Sequence, residues 1–342
     1  MKNNFILFTI SLFTAITTLQ SCSTSQNSYN SINYIISGNK YAEKGDFTKS
    51  AEQYKQALKL EPDSNTAKRN LGLVLVKISK YKEAVTLLND VAPNYPKDSE
   101  LYYFLGEANR GIGFEKESIK AYQYALNLNP NDLRTIKSLS WVFLKTGKYD
   151  KAESLIKTSY EKNPLDLQLM LIMTSIDVKK ERYTKAIKEM QEFEKSEYKI
   201  ISRDQTTAET EKILLLNVLG NAYAGINDCN KAQKIFDLVL KSRPFLAPTL
   251  TDSAKCDLKS NNTIQARGKL EKAYSSEPDY PETLFLLGKI YTNNNPKKAA
   301  FYYKKFIELS SEDKSLEMES KQAQASLDQI QTKNFDSTKK SD

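Results

Sequence analysis

Histidine is absent from all 342 residues. That removes imidazole general acid–base chemistry, histidine-dependent triads and histidine-ligated metals. Cysteine occurs only at Cys22, Cys229 and Cys256. With Cys22 set apart at the N-terminus, two are too few for a cysteine zinc site. Neither a G-x-S-x-G nor a G-x-G-x-x-G motif is present. Gly106 with Gly111, and Gly220 with Gly225, have the glycine spacing of a phosphate-binding loop. Neither pair is followed by the Lys-Ser/Thr that grips phosphate and magnesium, so they read as packing glycines. Scattered Asp and Glu on helices read as a solvated face. No enzyme, cofactor or metal is expected.

Helix breakers are also few, with 11 Gly and 10 Pro. Together with 40 % hydrophobic and 27 % charged residues, this is the balance of a soluble helical protein. Lys and Arg outnumber Asp and Glu by 50 to 42, a net charge of +8. Such an excess raises a polyanionic partner, but a solvated lysine-rich surface accounts for it equally well.

What the chain does have is a period. Gly38, Gly72 and Gly106 are 34 residues apart, as are Pro62, Pro96, Pro130 and Pro164. The beat resumes with Gly220, Ala254 and Gly288, and with Pro244 and Pro278. A fixed period of this size marks a stacked array whose units bury their apolar faces against their neighbours. Within residues 31–64, Ile32, Ile35, Gly38, Tyr41 and Ala42 recur at helical spacing. Gly45-Asp46 breaks the chain, and Asp46 is placed to cap a second helix. That helix carries Phe47, Ala51, Tyr54, Ala57 and Leu58 until Pro62, which excludes helix from the residue before it. Each unit is thus a helical hairpin, with Gly38 and Ala51 small where the helices approach.

The spacing small-x-x-aromatic, then Ala-x-x-x-aromatic-x-x-Ala, then Pro, resembles the tetratricopeptide repeat. The resemblance implies an all-α, right-handed superhelical solenoid of about eight hairpins with a C-terminal capping helix. Repeats one to five span 31–195, with Ser140 replacing the glycine in the fourth and Thr174 in the fifth. An insertion follows at 196–212, where Thr206-Thr207-Ala208-Glu209 looks like a capping signal for a lengthened next helix. Repeats six to eight span 213–310; in the eighth, Ala299, Tyr303 and Phe306 fall one residue early. Residues 311–331 read as the capping helix and 332–342 as a disordered tail.

Residues 1–21 read as a signal segment: Lys2, then an apolar run from Phe5 to Leu19 that is short for a membrane span. Leu19-Gln20-Ser21-Cys22 resembles a bacterial lipobox, although Gln20 departs from the usual small or aliphatic residue. The resemblance implies cleavage before Cys22, its acylation, and a polar linker over 22–30. Ser23 after the cysteine implies an outer-membrane lipoprotein of the cell envelope, and the lack of an acidic cluster behind it implies that it faces the periplasm.

An exported chain meets an oxidising compartment, and two further cysteines remain. Cys229 and Cys256 could form a disulfide closing a loop of about 27 residues; alternatively they are small buried residues that never meet.

The tetratricopeptide resemblance implies a scaffold that binds a protein or peptide in a concave groove lined by the first helix of each repeat. In repeats two to four those positions are Arg69, Lys77, Tyr103, Glu107, Arg110, Arg134, Lys137, Trp141 and Lys145. They join the sole tryptophan to Tyr103 and six cations, and aromatic and Arg residues are enriched in binding hot spots. The family's clamp for C-terminal carboxylates is not reproduced: Asn39 and Asn70 match, but Ile35, Glu100 and Phe104 replace basic residues. The alternative is a module for an anionic envelope polymer such as peptidoglycan, lipopolysaccharide or polysaccharide, which strong salt dependence would reveal. Nucleic acid is not expected, because the chain reads as exported.

Overall fold

A computed structural model of the chain describes residues 28–195, 205–311 and 316–339. Within them lie seventeen α-helices and no strand. The first, α1, spans 28–43 and so begins inside the stretch read as a linker. It pairs with α2 (Phe47–Leu60). The next hairpins are α3 (Asn65–Lys77) with α4 (Tyr81–Val91), and α5 (Ser99–Gly111) with α6 (Glu115–Leu128). Then come α7 (Leu133–Lys145) and α8 (Tyr149–Lys162), followed by α9 (Leu167–Lys179) with α10 (Tyr183–Lys195). After the insertion come α11 (Gln205–Gly225) with α12 (Cys229–Ser242), and α13 (Ala247–Lys259) with α14 (Thr263–Ser276). The last hairpin is α15 (Pro281–Tyr291) with α16 (Pro296–Ser310), and α17 (Glu317–Lys339) packs on α16. The protein is an all-α repeat solenoid. It divides into two compact units, one up to Val142 and one from Phe143 on.

Local chemistry sets the hairpin ends. The Asp46 side chain caps α2, accepting from Lys49 N at 3.2 Å. Helices α2, α6, α8, α12 and α14 each end two residues before a proline, at Leu60, Leu128, Lys162, Ser242 and Ser276. The pre-proline residue is driven out of the helical region, so the stop is steric. The turn between the two helices needs one left-handed residue. It is Gly45, Gly113 or Gly147 in three hairpins, and Ser79, Glu181, Asn227 or Asn261 at the same place in four others.

The small residue of each first helix sits under a bulky residue of the second. A Cβ at Gly38, Gly106 or Gly288 would lie 2.5–2.6 Å from the ring of Tyr54, Tyr122 or Tyr303. The bulky counterpart need not be aromatic: a Cβ at Gly72 would lie 2.6 Å from Leu88. At the same spacing of 16 residues Thr174 aligns with Met190 and Ala254 with Leu270, all buried.

Two boundaries depart from the sequence expectation. Helix α11 starts at Gln205, so residues 205–212 lengthen the next helix as expected, but Thr206–Glu209 lie inside its first turns instead of capping it from ahead. Residues 196–204 lie outside the described residues. Helix α17 continues past 331 to Lys339, into the stretch read as a tail, because 317–339 contains neither Gly nor Pro to stop it. The signal segment and Cys22 lie outside the described residues.

Candidate functional site

The first helices α1, α3 and α5 line a cavity of about 320 Å³ in the first unit. Leu73, Val74 and Phe104 give it an apolar floor, while Asn39, Asn70, Arg69, Lys77, Glu43 and Glu100 supply polar groups. Of the residues expected to line a groove, Arg69 and Lys77 lie here. Lys77 holds its ammonium 5.0 Å from the centre of the Phe104 ring. Phe104 meets Tyr103 edge-on at 5.2 Å, and the Arg134 guanidinium lies 4.9 Å from the Tyr103 ring centre. A line Lys77–Phe104–Tyr103–Arg134 therefore joins α3, α5 and α7.

The groove wall is tied to the core by a device used twice. Tyr54, fully buried, donates from its hydroxyl to Asn39 Oδ1 at 2.6 Å, and Asn70 Nδ2 donates to the same oxygen at 3.1 Å. Two hairpins on, Tyr122 donates to Glu107 Oε1 at 2.6 Å and Ser138 Oγ donates to it at 2.7 Å. In both cases a core tyrosine and a side chain of the next hairpin converge on one groove residue. In the second unit Asn221 Nδ2 donates to Asp252 Oδ2 at 2.8 Å, the same bridge with its polarity reversed. Lys255 neutralises that carboxylate at 2.9 Å and reaches Glu282 at 2.6 Å.

Half of the six expected cations are committed to carboxylates. Arg69, 19 % exposed, donates from Nε to Asp98 at 2.5 Å and from NH2 to Glu100 at 3.0 Å. Arg110 pairs with Glu107 at 2.5 Å and Arg134 with Asp132 at 3.2 Å. Glu107 is only 14 % exposed. Burial opposes its ionisation, but hydrogen bonds from Arg110, Tyr122 and Ser138 outweigh that and hold its carboxyl below the usual range. Asp98 is held low in the same way: Arg69 and the α5 backbone outweigh burial.

Trp141 stands on α7 with 37 % of its surface exposed. Lys137 precedes it by one helical turn, and Lys145 ends α7 inside the second unit. Sequence reasoning missed Asn70, Val74, Phe104 and Ser138 as parts of the groove and its wall. Asn70 and Phe104 read in sequence only against the clamp pattern, and Val74 was not singled out. Ser138 carried no signal beyond a small polar residue one turn from Trp141.

A helical-hairpin array with a side-chain-lined groove is the architecture of a protein–protein interaction scaffold. Residues 38–79 match the family model described as TPR repeat. Over 135 residues the chain is 30 % identical to the TPR repeat-containing protein MJ1428 of Methanocaldococcus jannaschii, covering 37 % of this chain and 24 % of that one. Over 120 residues it is 27 % identical to the tetratricopeptide repeat-containing protein trd-1 of Caenorhabditis elegans, covering 35 % and 16 %. The chain thus spans about a quarter or less of these relatives. In fold it is similar to a tetratricopeptide repeat protein from Parabacteroides merdae (TM-score 0.60, 16 % identity, covering 78 % of this chain and all of that one). It is also similar in fold to a chain of the APC/C hetero-tetramer Cut9–Hcn1 (TM-score 0.54, 15 % identity, covering 85 % and 55 %). The chain carries a TPR repeat at residues 38–79 and has the fold of a tetratricopeptide repeat protein.

Proposed function

We propose that this chain is a non-enzymatic scaffold that holds a polypeptide in the groove of its first unit, tethered to the bacterial outer membrane through an acylated Cys22 and serving envelope assembly or secretion from the periplasmic face. The observation that carries the groove reading is its composition. An apolar floor of Leu73, Val74 and Phe104 beside amide and charged groups suits a peptide, which presents apolar side chains and backbone donors together. A chain of similar fold occurs in the Cut9–Hcn1 hetero-tetramer, which agrees with a protein ligand. Pairing of Arg69, Arg110 and Arg134 with carboxylates argues against the anionic-polymer alternative, because those cations are already neutralised. Paired charges add little attraction for a polyanion at physiological salt.

The test is a photo-crosslinking residue at Leu73 in intact cells, with identification of the trapped polypeptide and titration of the purified pair. Trp141→Ala is expected to leave thermal stability nearly unchanged and to weaken that binding by about 2 kcal/mol or more. A large drop in melting temperature with affinity intact would assign Trp141 to the core. Affinity collapsing with added salt would restore the anionic-polymer reading.

The anchor is tested separately. Metabolic labelling with an alkyne fatty acid is expected to tag the wild type, while Cys22→Ala loses both the tag and membrane association. Several acyl chains hold a protein stably at a bilayer where one does not. Equal labelling of the variant would overturn the lipoprotein reading.

A further inference from the structure

Cys229 opens α12 and Cys256 lies in the last turn of α13, helices of consecutive hairpins that pack together. Both thiols are free, Cys256 fully buried and Cys229 partly so, and both belong to one apolar cluster with Ala232 and Phe236. Elsewhere the residue opening the second helix is often aromatic: Phe47, Tyr81, Tyr149 and Tyr183. At the same step along the following first helix stand aliphatic residues, Val74 after Phe47 and Ala108 after Tyr81. In the first unit those residues share one cluster, so the aromatic is the apolar plug between hairpins. An aromatic ring buries ~150–250 Å². Two cysteines fill that place with far less surface, and a small–small contact alone would leave this junction weaker than its counterparts.

We infer that Cys229 and Cys256 are a cross-linking pair that closes into a disulfide and staples the sixth hairpin to the seventh. The order of events follows from exposure. Cys229, the accessible thiol, attacks a small-molecule or protein disulfide as its thiolate and expels one thiolate of that oxidant. Cys256 then loses its proton and attacks the Cys229 sulfur of the mixed disulfide, expelling the second thiolate. Two protons and two electrons leave the protein, and the oxidant disulfide is reduced to two thiols. Burial, then the contact with Cys229, pushes the Cys256 thiol up to about 12. In the reduced protein it is therefore protonated and inert towards external oxidants. Lys259, the last residue of α13, favours the Cys256 thiolate. Its ammonium also donates to Ala224 O at 2.9 Å and Asn227 Oδ1 at 3.2 Å, which fastens α13 to the turn carrying Cys229.

The test uses the full chain carrying Cys22→Ala, so that it stands whether or not Cys22 is acylated. The reduced protein is exposed to oxidised glutathione, unfolded, alkylated and mapped by mass spectrometry without reduction. The expected product is one linked peptide pair, Cys229 to Cys256, with no free thiol. The linked form should melt about 6–12 °C above the reduced form, a gap that Cys256→Ser abolishes. Two alkylated thiols, a glutathione adduct persisting on Cys229, or chains linked through Cys229 to each other would overturn the pairing. Equal melting of the linked and reduced forms would overturn the staple.

Discussion

Tyr122→Ala is expected to destabilise the third hairpin by about 4 kcal/mol, within the ~3–5 kcal/mol seen when a buried aromatic is truncated. Tyr122 is fully buried, and its ring lies so close to α5 that only a glycine fits at position 106. Its hydroxyl also holds Glu107, so the alanine variant opens a cavity and withdraws one of three donors from a largely buried carboxylate. Tyr122→Phe keeps the ring and loses only that bond, for about 1–2 kcal/mol. Arrays of this kind lose strength locally, so the reading should come from amide hydrogen exchange across residues 99–128. A loss below about 1 kcal/mol for the alanine variant would show that the hairpin collapses around the missing ring. The pH dependence has a definite sign. Glu107 has a folded value below its ordinary 4.5, so its contribution is complete above that value and is lost as pH falls through the folded one. The gap between wild type and Tyr122→Phe should therefore shrink on acidification below that range.

The second large effect is expected in the second unit, where the Asp177 side chain is entirely buried in α9. Arg182 NH2 lies 2.5 Å from one of its oxygens and Lys185 Nζ 3.1 Å from the other. Arg182 also reaches Glu153 at 2.8 Å, and Lys180 ties that residue to Asp150. Removing both cations with Arg182→Met and Lys185→Met would strand a carboxylate out of water. The expected cost is about 3–5 kcal/mol, read by urea unfolding followed within 167–195. Adding Asp177→Leu should recover most of that loss, because an apolar replacement of the whole cluster avoids the buried charge. If the double variant were as stable as the wild type, water must reach Asp177.

These carboxylates mark where sequence reading stopped. Asp and Glu on repeat helices were taken as a solvated face, yet Asp177, Asp252 and Asp257 are buried and Glu107 nearly so. Nothing in the spacing separates them from exposed neighbours, since each lies one helical step from positions that do face water. The pairing of the groove arginines is hidden from the sequence for the same reason. Arg69 looked available to a ligand, but its partner Asp98 caps the next hairpin and is 29 residues away. Glu100, seen in sequence as a defect in a clamp, takes the second arm of that same arginine.

The helices themselves were legible because their causes are local and periodic. Prolines two residues past the ends of five second helices, a left-handed turn residue at a constant place in seven hairpins, and Gly38, Gly72 and Gly106 under bulky partners all act within one hairpin. The sequence by itself therefore determined the number of hairpins, their pairing and the residues of their cores. Only the tertiary structure decided which groove charges are already paired, that Tyr54 and Tyr122 reach through to the groove wall, and that Cys229 meets Cys256. Those contacts join side chains of different helices, many of them in successive hairpins. Side-chain reach, burial and the competition of several donors for one oxygen settle them, and none of these has a period in the sequence.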